Sequence, residues 1–118
     1  MPRMPAKELK VIDEMYQLIL WSCQHIASFP RPHRFTLGER MERQLYDLLD
    51  LLLRAKYRSK RLALLNDANL ELEILRFQFR LAKDLRCLTL NSYGHASACV
   101  ESIGKLIGGW VKACSSRS

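Results

Sequence analysis

Six cationic side chains carry the strongest chemical signal in this sequence. Arg54, Arg58 and Arg61 recur at spacings of four and three, and Arg76, Arg80 and Lys83 repeat that spacing further along. On a helix those intervals set each trio along one side. A guanidinium presents a planar fork of donors that matches phosphate oxygens, so the two stripes point to anion binding. The competing reading is a solvated face neutralised by local pairs such as Asp50–Arg54 or Glu73–Arg76. The lack of carboxylates just beyond Arg54 favours the first reading. Tyr57 lies among Arg54, Lys56 and Arg58. It is either a platform for a nucleotide base or a side chain packed on a neighbouring helix, and packing is the expectation because it is the commoner use.

Catalytic signals are poor. His25, His33 and His95 form no i, i+4 metal pair, and Cys23, Cys87, Cys99 and Cys114 are too widely spaced for a zinc site. Glu71 and Glu73 lie two apart and so point to different faces of a helix. No nucleophile elbow, P-loop or dinucleotide fingerprint occurs, and the E-x-x-H spacing of di-iron bundles is missing. The expectation is a protein without catalytic residues, cofactor or metal.

The balance of charge agrees. Nineteen Lys and Arg against twelve Asp and Glu give a net charge of +7. In so small a chain this favours a polyanionic partner, nucleic acid ahead of an anionic membrane surface. No zinc-finger, RNA-recognition or leucine-zipper signature accompanies the charge, so contact with the nucleic acid backbone is expected rather than base readout. No apolar run reaches the roughly 18 residues of a membrane span, and "MPRMPAKELK" has no apolar leader. A cytoplasmic protein with free thiols and no membrane association is expected.

The elements that must position these side chains read as helices throughout, in a single domain of residues 1–118. A first helix over about 5–27 opens with Pro5 in its first turn. It carries a stripe of Leu9, Ile12, Tyr16, Ile19, Cys23 and Ile26, widened by Val11, Met15, Leu18 and Trp21. A face this broad suggests a bundle interior with a subunit contact on its flank. Pro30 and Pro32 predict an extended link, and Thr36-Leu-Gly-Glu39 has the form of a capping box. A second helix over about 37–58 follows Met41, Leu45, Leu48, Leu52 and Ala55. After a turn near Arg58 to Lys60, a third over about 60–90 follows Leu62, Leu65, Leu72, Leu75, Phe79, Ala82 and Leu85. "NSYG" (91–94) reads as a breaker before a fourth helix over about 95–113, with Ala96, Cys99, Ile103, Leu106, Ile107 and Trp110. "SSRS" reads as a frayed tail. Gly104 and Gly108 fall on one helix face, where a neighbouring backbone or the bulk of Trp110 would explain them. The fold expected is all-α, an antiparallel up-down-up-down four-helix bundle.

Three stretches together resemble a known family. "FPRPHRFTLGERM", "RAKYRSKRLALLNDANLELEILRFQFRLAKDL" and "SIGKLIGGWVK" are similar, in this order, to the accessory variability determinant (Avd) proteins of diversity-generating retroelements. Those proteins are related to the four-helix bundles encoded in intervening sequences of 23S ribosomal RNA genes. The "SIPxNIAEG"-like run of that second branch is missing here. The resemblance implies a homopentameric barrel with a positively charged surface. It implies association with a reverse transcriptase and binding of nucleic acid, including template RNA and its cDNA. It also implies a non-catalytic role in mutagenic cDNA synthesis. The family's basic character carries over to Arg54, Arg58, Arg61, Arg76, Arg80 and Lys83 as candidates. The alternative is a structural, protein-interaction bundle that meets an acidic partner and binds no nucleic acid directly.

Overall fold

The computed structural model describes residues 6–115, which are helical apart from short turns and contain no strand. Four long helices make up the bundle: α1 (Ala6–Ile26), α3 (Glu39–Tyr57), α4 (Arg61–Asp84) and α5 (Leu90–Ser115). A one-turn helix, α2 (Arg31–His33), and a π-helical turn, Arg34–Gly38, lead from α1 into α3. Pro5 and the last three residues of the "SSRS" tail lie outside the described residues.

Side-chain contacts give the helix directions. Trp21 meets His95, while Glu14, a helical turn or two earlier on α1, meets Ser102, further along α5. On α4 and α5, Lys83 lies over Tyr93 while Arg76 reaches Glu101. In both pairs the numbers rise on one helix as they fall on the other, so neighbouring helices are antiparallel. α1 packs on α3 and α5, and α4 packs on the same two, so α1 and α4 occupy diagonal corners. Trp21 and Phe79 approach across that diagonal, with ring centroids 6.4 Å apart.

The core follows the expected stripes on three helices. Met41, Leu45, Leu48, Leu52 and Ala55 on α3 are all buried, as are Leu65, Leu72, Leu75, Phe79 and Ala82 on α4 and Ala96, Ile103, Ile107 and Trp110 on α5. Leu62 and Leu85 stay exposed, and Ala68 and Val100 join the core instead. On α1 the buried line is Val11, Met15, Leu18, Ser22 and Ile26, while Leu9, Tyr16 and Leu20 face out. Ile19 and Ile26 of the expected stripe are buried with the widening Val11, Met15 and Leu18, whereas its Leu9 and Tyr16 lie to one side of the inward face. Both stripes have helical spacing, and a small polar residue, Ser22, marks the truly inward one.

The connections depart most from expectation. Pro30 is extended (φ −53°, ψ 140°), but Pro32 sits inside α2, so the link is helical and not a stretched strap. No capping box forms: the Thr36 hydroxyl donates to the Pro32 carbonyl at 3.2 Å, and Glu39 pairs with Arg43 at 3.6 Å. Thr36 lies within a continuous run of helical turns, and a cap serves only a helix with an open end. Gly38 is buried where α1 and α3 cross. A Cβ at Gly38 would lie 2.8 Å from Ile26 Cγ2, so this close approach requires glycine.

The break before α5 lies earlier than "NSYG". α4 ends in a Schellman turn: Cys87 N–H donates to the Ala82 carbonyl at 2.8 Å, and Arg86 N–H to that of Lys83 at 2.9 Å. Arg86 takes the left-handed position, with φ 64°. Thr89 then caps α5, its Oγ1 accepting from the Ser92 N–H at 3.0 Å. "NSYG" thus falls within the first turns of α5, where residues that favour turns are tolerated because the cap supplies the nucleus.

Candidate nucleic-acid interface

The six basic residues divide into two groups. Arg54 and Arg58 close α3, Arg61 opens α4, and all three stand at the hairpin tip between those helices. Arg76, Arg80 and Lys83 lie on the second half of α4, facing α5. At 1.5 Å per residue, Arg76 is about 22 Å along α4 from Arg61, so the two trios are separate.

The hairpin tip is the more cationic. Five of the eight residues from Arg54 to Arg61 are Lys or Arg, and no Asp or Glu lies between Asp50 and Asp67. The chain turns sharply here because Arg58 is extended (φ −102°, ψ 149°) and ends α3. No side chain caps the start of α4, and its first turn carries no carboxylate. The dipole of a 24-residue helix therefore adds to the positive potential at this end. Arg54, Arg58, Ser59, Lys60 and Leu64 line an open depression of about 390 Å³.

The three arginines of the tip differ in role. Among the described residues, Arg54 and Arg58 make no ion pair. Arg61 instead reaches across to α1, where its guanidinium meets the buried carboxylate of Glu8 at 3.4 Å. It also donates from Nε to the Arg58 carbonyl at 3.0 Å. Arg61 thus ties three helices together, and its donors are largely spent inside the protein.

On the second group neutralisation is more advanced. Arg76 is held by Glu73 at 3.3 Å and by Glu101 at 3.7 Å. Lys83 sits 3.5 Å from Asp84 and lies over the Tyr93 ring at 4.6 Å from its centroid. Arg80 has no carboxylate partner among the described residues and opens onto a small hollow with Phe77 and Tyr93. The local pair expected between Glu73 and Arg76 is present, and the one expected between Asp50 and Arg54 is not among the ion pairs of the described residues.

Tyr57 corrects the sequence reading. Where packing on a neighbouring helix was expected, 76% of it is exposed, with the Lys56 ammonium over the ring, 5.0 Å from the centroid. The glycines correct it too. A Cβ at Gly104 would touch Leu72 at 3.4 Å, but at Gly108 and Gly109 it would meet nothing within 4 Å. No second backbone among the described residues explains those two.

Sequence reasoning missed an apolar face. Leu70, Ile74, Phe77 and Leu81 recur at spacings of four, three and four along the outside of α4, and Leu70 and Phe77 are 62% and 59% exposed. Leu81 continues into a hollow of about 650 Å³ with Phe35 and Leu37. The leucine-rich run of α4 concealed it, because two apolar stripes on one helix read as a single broad core face.

Catalytic arrangements are thin among the described residues. No group of three or more His, Cys, Asp and Glu is placed to hold a metal ion. One Cys–His contact exists, Cys99 Sγ to His95 Nε2 at 3.6 Å. Burial, aided by the nearby Glu14 charge, pushes the Cys99 thiol up, the wrong direction for a thiolate nucleophile. No described helix is long and apolar enough to cross a membrane.

Among the described residues, four long helices thus present a cationic hairpin tip and one apolar flank. The sequence matches the family model described as bAvd-like over residues 9–114. The chain belongs to the bAvd-like family. No curated protein matches it.

Proposed function

We propose that this protein is a non-catalytic accessory subunit that binds nucleic acid through its backbone. In this reading it associates with the reverse transcriptase of a diversity-generating retroelement in the cytoplasm and supports mutagenic cDNA synthesis from template RNA. Family membership supports the setting. The observation that carries the binding role is the hairpin tip, where the Arg54 and Arg58 guanidinium groups have no carboxylate partner among the described residues, at the most cationic stretch of the chain. Arg80 is the freest group of the second trio, while Arg76 and Lys83 would first have to leave Glu73, Glu101 and Asp84.

The same reading includes self-assembly into a homopentamer. The exposed stripe on α4 and the exposed Leu9, Tyr16 and Leu20 of α1 lie on diagonal corners. Two different apolar surfaces on opposite corners suit a head-to-tail ring better than a two-fold dimer. A ring would repeat the hairpin tip and raise avidity through effective concentration. The α4 stripe also favours a second reading, a protein-interaction module that holds the polymerase without touching nucleic acid.

Binding of labelled template RNA, followed by anisotropy against salt, separates the two. If about 6 to 10 phosphates are contacted across the assembly, affinity falls by roughly three to five decades between 50 and 200 mM salt. The double substitution Arg54→Glu, Arg58→Glu abolishes binding with helicity unchanged by circular dichroism, and Arg76→Glu, Arg80→Glu, Lys83→Glu tests the second trio. Salt-independent affinity, or full binding by both sets of variants, overturns the nucleic-acid role. Polymerase capture that persists in those variants then selects the interaction module.

A further inference from the structure

The aromatic rings near the cations are not equivalent. Tyr93 is half-buried beneath Lys83, and Phe35 lines an apolar hollow next to α4. Tyr57 is the most exposed aromatic side chain of the described residues, at 76% against 65% for Phe35, whose ring lies under Arg34, and it directly precedes Arg58, which with Arg54 and Lys60 lines a cationic depression. Every nucleotide carries a phosphate and a flat base a few ångströms apart. A duplex offers the phosphates but keeps its bases stacked inside, whereas an unpaired strand offers both. Sequence-tolerant binding of single strands uses this combination of a basic track with an exposed aromatic face.

We infer that the α3–α4 hairpin tip recognises unpaired nucleic acid, with a phosphate held between Arg54, Arg58 and Lys60 and the adjoining base stacked on Tyr57. The inference rests on the nucleic-acid reading above and narrows it to a strand type. The exposure of Tyr57 follows from its position: it is the last residue of α3, two past the buried Ala55 and one past the half-buried Lys56, directly before the extended Arg58 that ends the helix. The Lys56 ammonium near the ring adds a further cation for the strand to meet.

The test compares three probes of equal length at one salt concentration: an unstructured thymidine oligonucleotide, its abasic counterpart and a mixed-sequence duplex. Tyr57→Ala is expected to weaken the thymidine strand roughly 5- to 150-fold, the range for loss of one stacked base. The abasic strand and the duplex are expected to bind Tyr57→Ala as they bind the unaltered protein, and Tyr57→Phe is expected to keep the preference. Because Tyr57 is largely solvated, its replacement leaves the fold intact, which circular dichroism verifies. If Tyr57→Ala weakens all three probes equally, or none, while Arg54→Glu with Arg58→Glu still weakens them, stacking is overturned and the nucleic-acid reading stands. If the arginine variant also binds every probe in full, the tip is overturned as the binding surface and stacking with it, and the nucleic-acid reading falls too if Arg76→Glu, Arg80→Glu, Lys83→Glu likewise binds in full.

Discussion

Gly108 and Gly109 offer a sharp test of how the α5 face is used. Both lie inside a 26-residue helix, where each glycine costs about 1 kcal/mol relative to alanine. A Cβ at either position meets nothing within 4 Å among the described residues, so alanine brings its propensity gain with no steric loss there. The double substitution Gly108→Ala, Gly109→Ala should therefore stabilise the chain by about 2 kcal/mol. For a protein of this size that corresponds to roughly 8 °C in Tm. Gly38 supplies the opposite case. Its Cβ would lie 2.8 Å from the branched side chain of buried Ile26, and neither the ring of Phe29 nor the His33 carbonyl, each 3.5 Å away, leaves room to shift. Overpacking costs about 1–3 kcal/mol and outweighs the helix gain, so Gly38→Ala should lose stability. Urea denaturation followed by circular dichroism at two protein concentrations reads both. A double variant that unfolds more easily than the parent, most of all at the higher concentration, would refute the argument and place a second copy's backbone against this face.

Three other outcomes follow from particular contacts. Arg61→Ala should destabilise by about 1–3 kcal/mol in urea, because the buried Glu8 carboxylate loses its partner, whereas Arg54→Ala and Arg58→Ala should stay within about 0.5 kcal/mol. Arg86→Gly should stabilise by about 1 kcal/mol, since the left-handed position at φ 64° penalises any side chain; an unchanged midpoint would show the turn to be unstrained. The hydrogen bond between Cys23 and Tyr46, with the Cys23 charge, burial and Glu42 acting the same way, raises the Tyr46 phenol to about 12. Folding thus favours its protonated form, so this contribution is complete below pH 10 and disappears as pH rises toward 12. Ultraviolet titration should see Tyr46 ionise earlier in Cys23→Ala, and identical curves would sink the assignment.

The sequence made the helices readable because their periodicity is nearly unbroken, and its ambiguities arose where two physical signals compete. On α1 the apolar surface spans more than half the circumference, so periodicity alone did not fix its centre. Burial of Val11 and Met15 with exposure of Leu9 and Tyr16 depends on where α3 and α5 stand. At Thr36 a capping pattern was present but had no open helix end to serve, because the preceding turns were already helical. At Arg86 the reverse occurred: a helix ended on a residue type that gives no warning of a left-handed turn.

The site was legible as chemistry and illegible as geometry. Spacings of four and three identified stripes, but a helix turns about 100° and climbs 1.5 Å per residue, so two stripes on one hairpin merge only if they lie at matching heights. Arg54, Arg58 and Arg61 stand at the turn, whereas Arg76 to Lys83 lie some 20 Å or more along α4. Ion pairing divided the set further, since Glu8, Glu73 and Glu101 reach their arginines from distant parts of the sequence or from an adjoining turn. Of the six candidate residues, three guanidinium groups keep no carboxylate partner among the described residues, Arg54 and Arg58 at the tip and Arg80 beside α5. Three such groups hold a polyanion weakly by themselves, because each phosphate contact contributes through counterion release in proportion to its number. Repetition around a ring restores the affinity, and the exposed apolar stripe of α4 supplies a means of building one. On this account binding and assembly stand or fall together: Phe77→Glu, far along α4 from the hairpin tip, should lower both the mass seen by light scattering and the affinity for RNA. A variant that scatters as a single chain yet binds RNA as tightly as the parent would break that link.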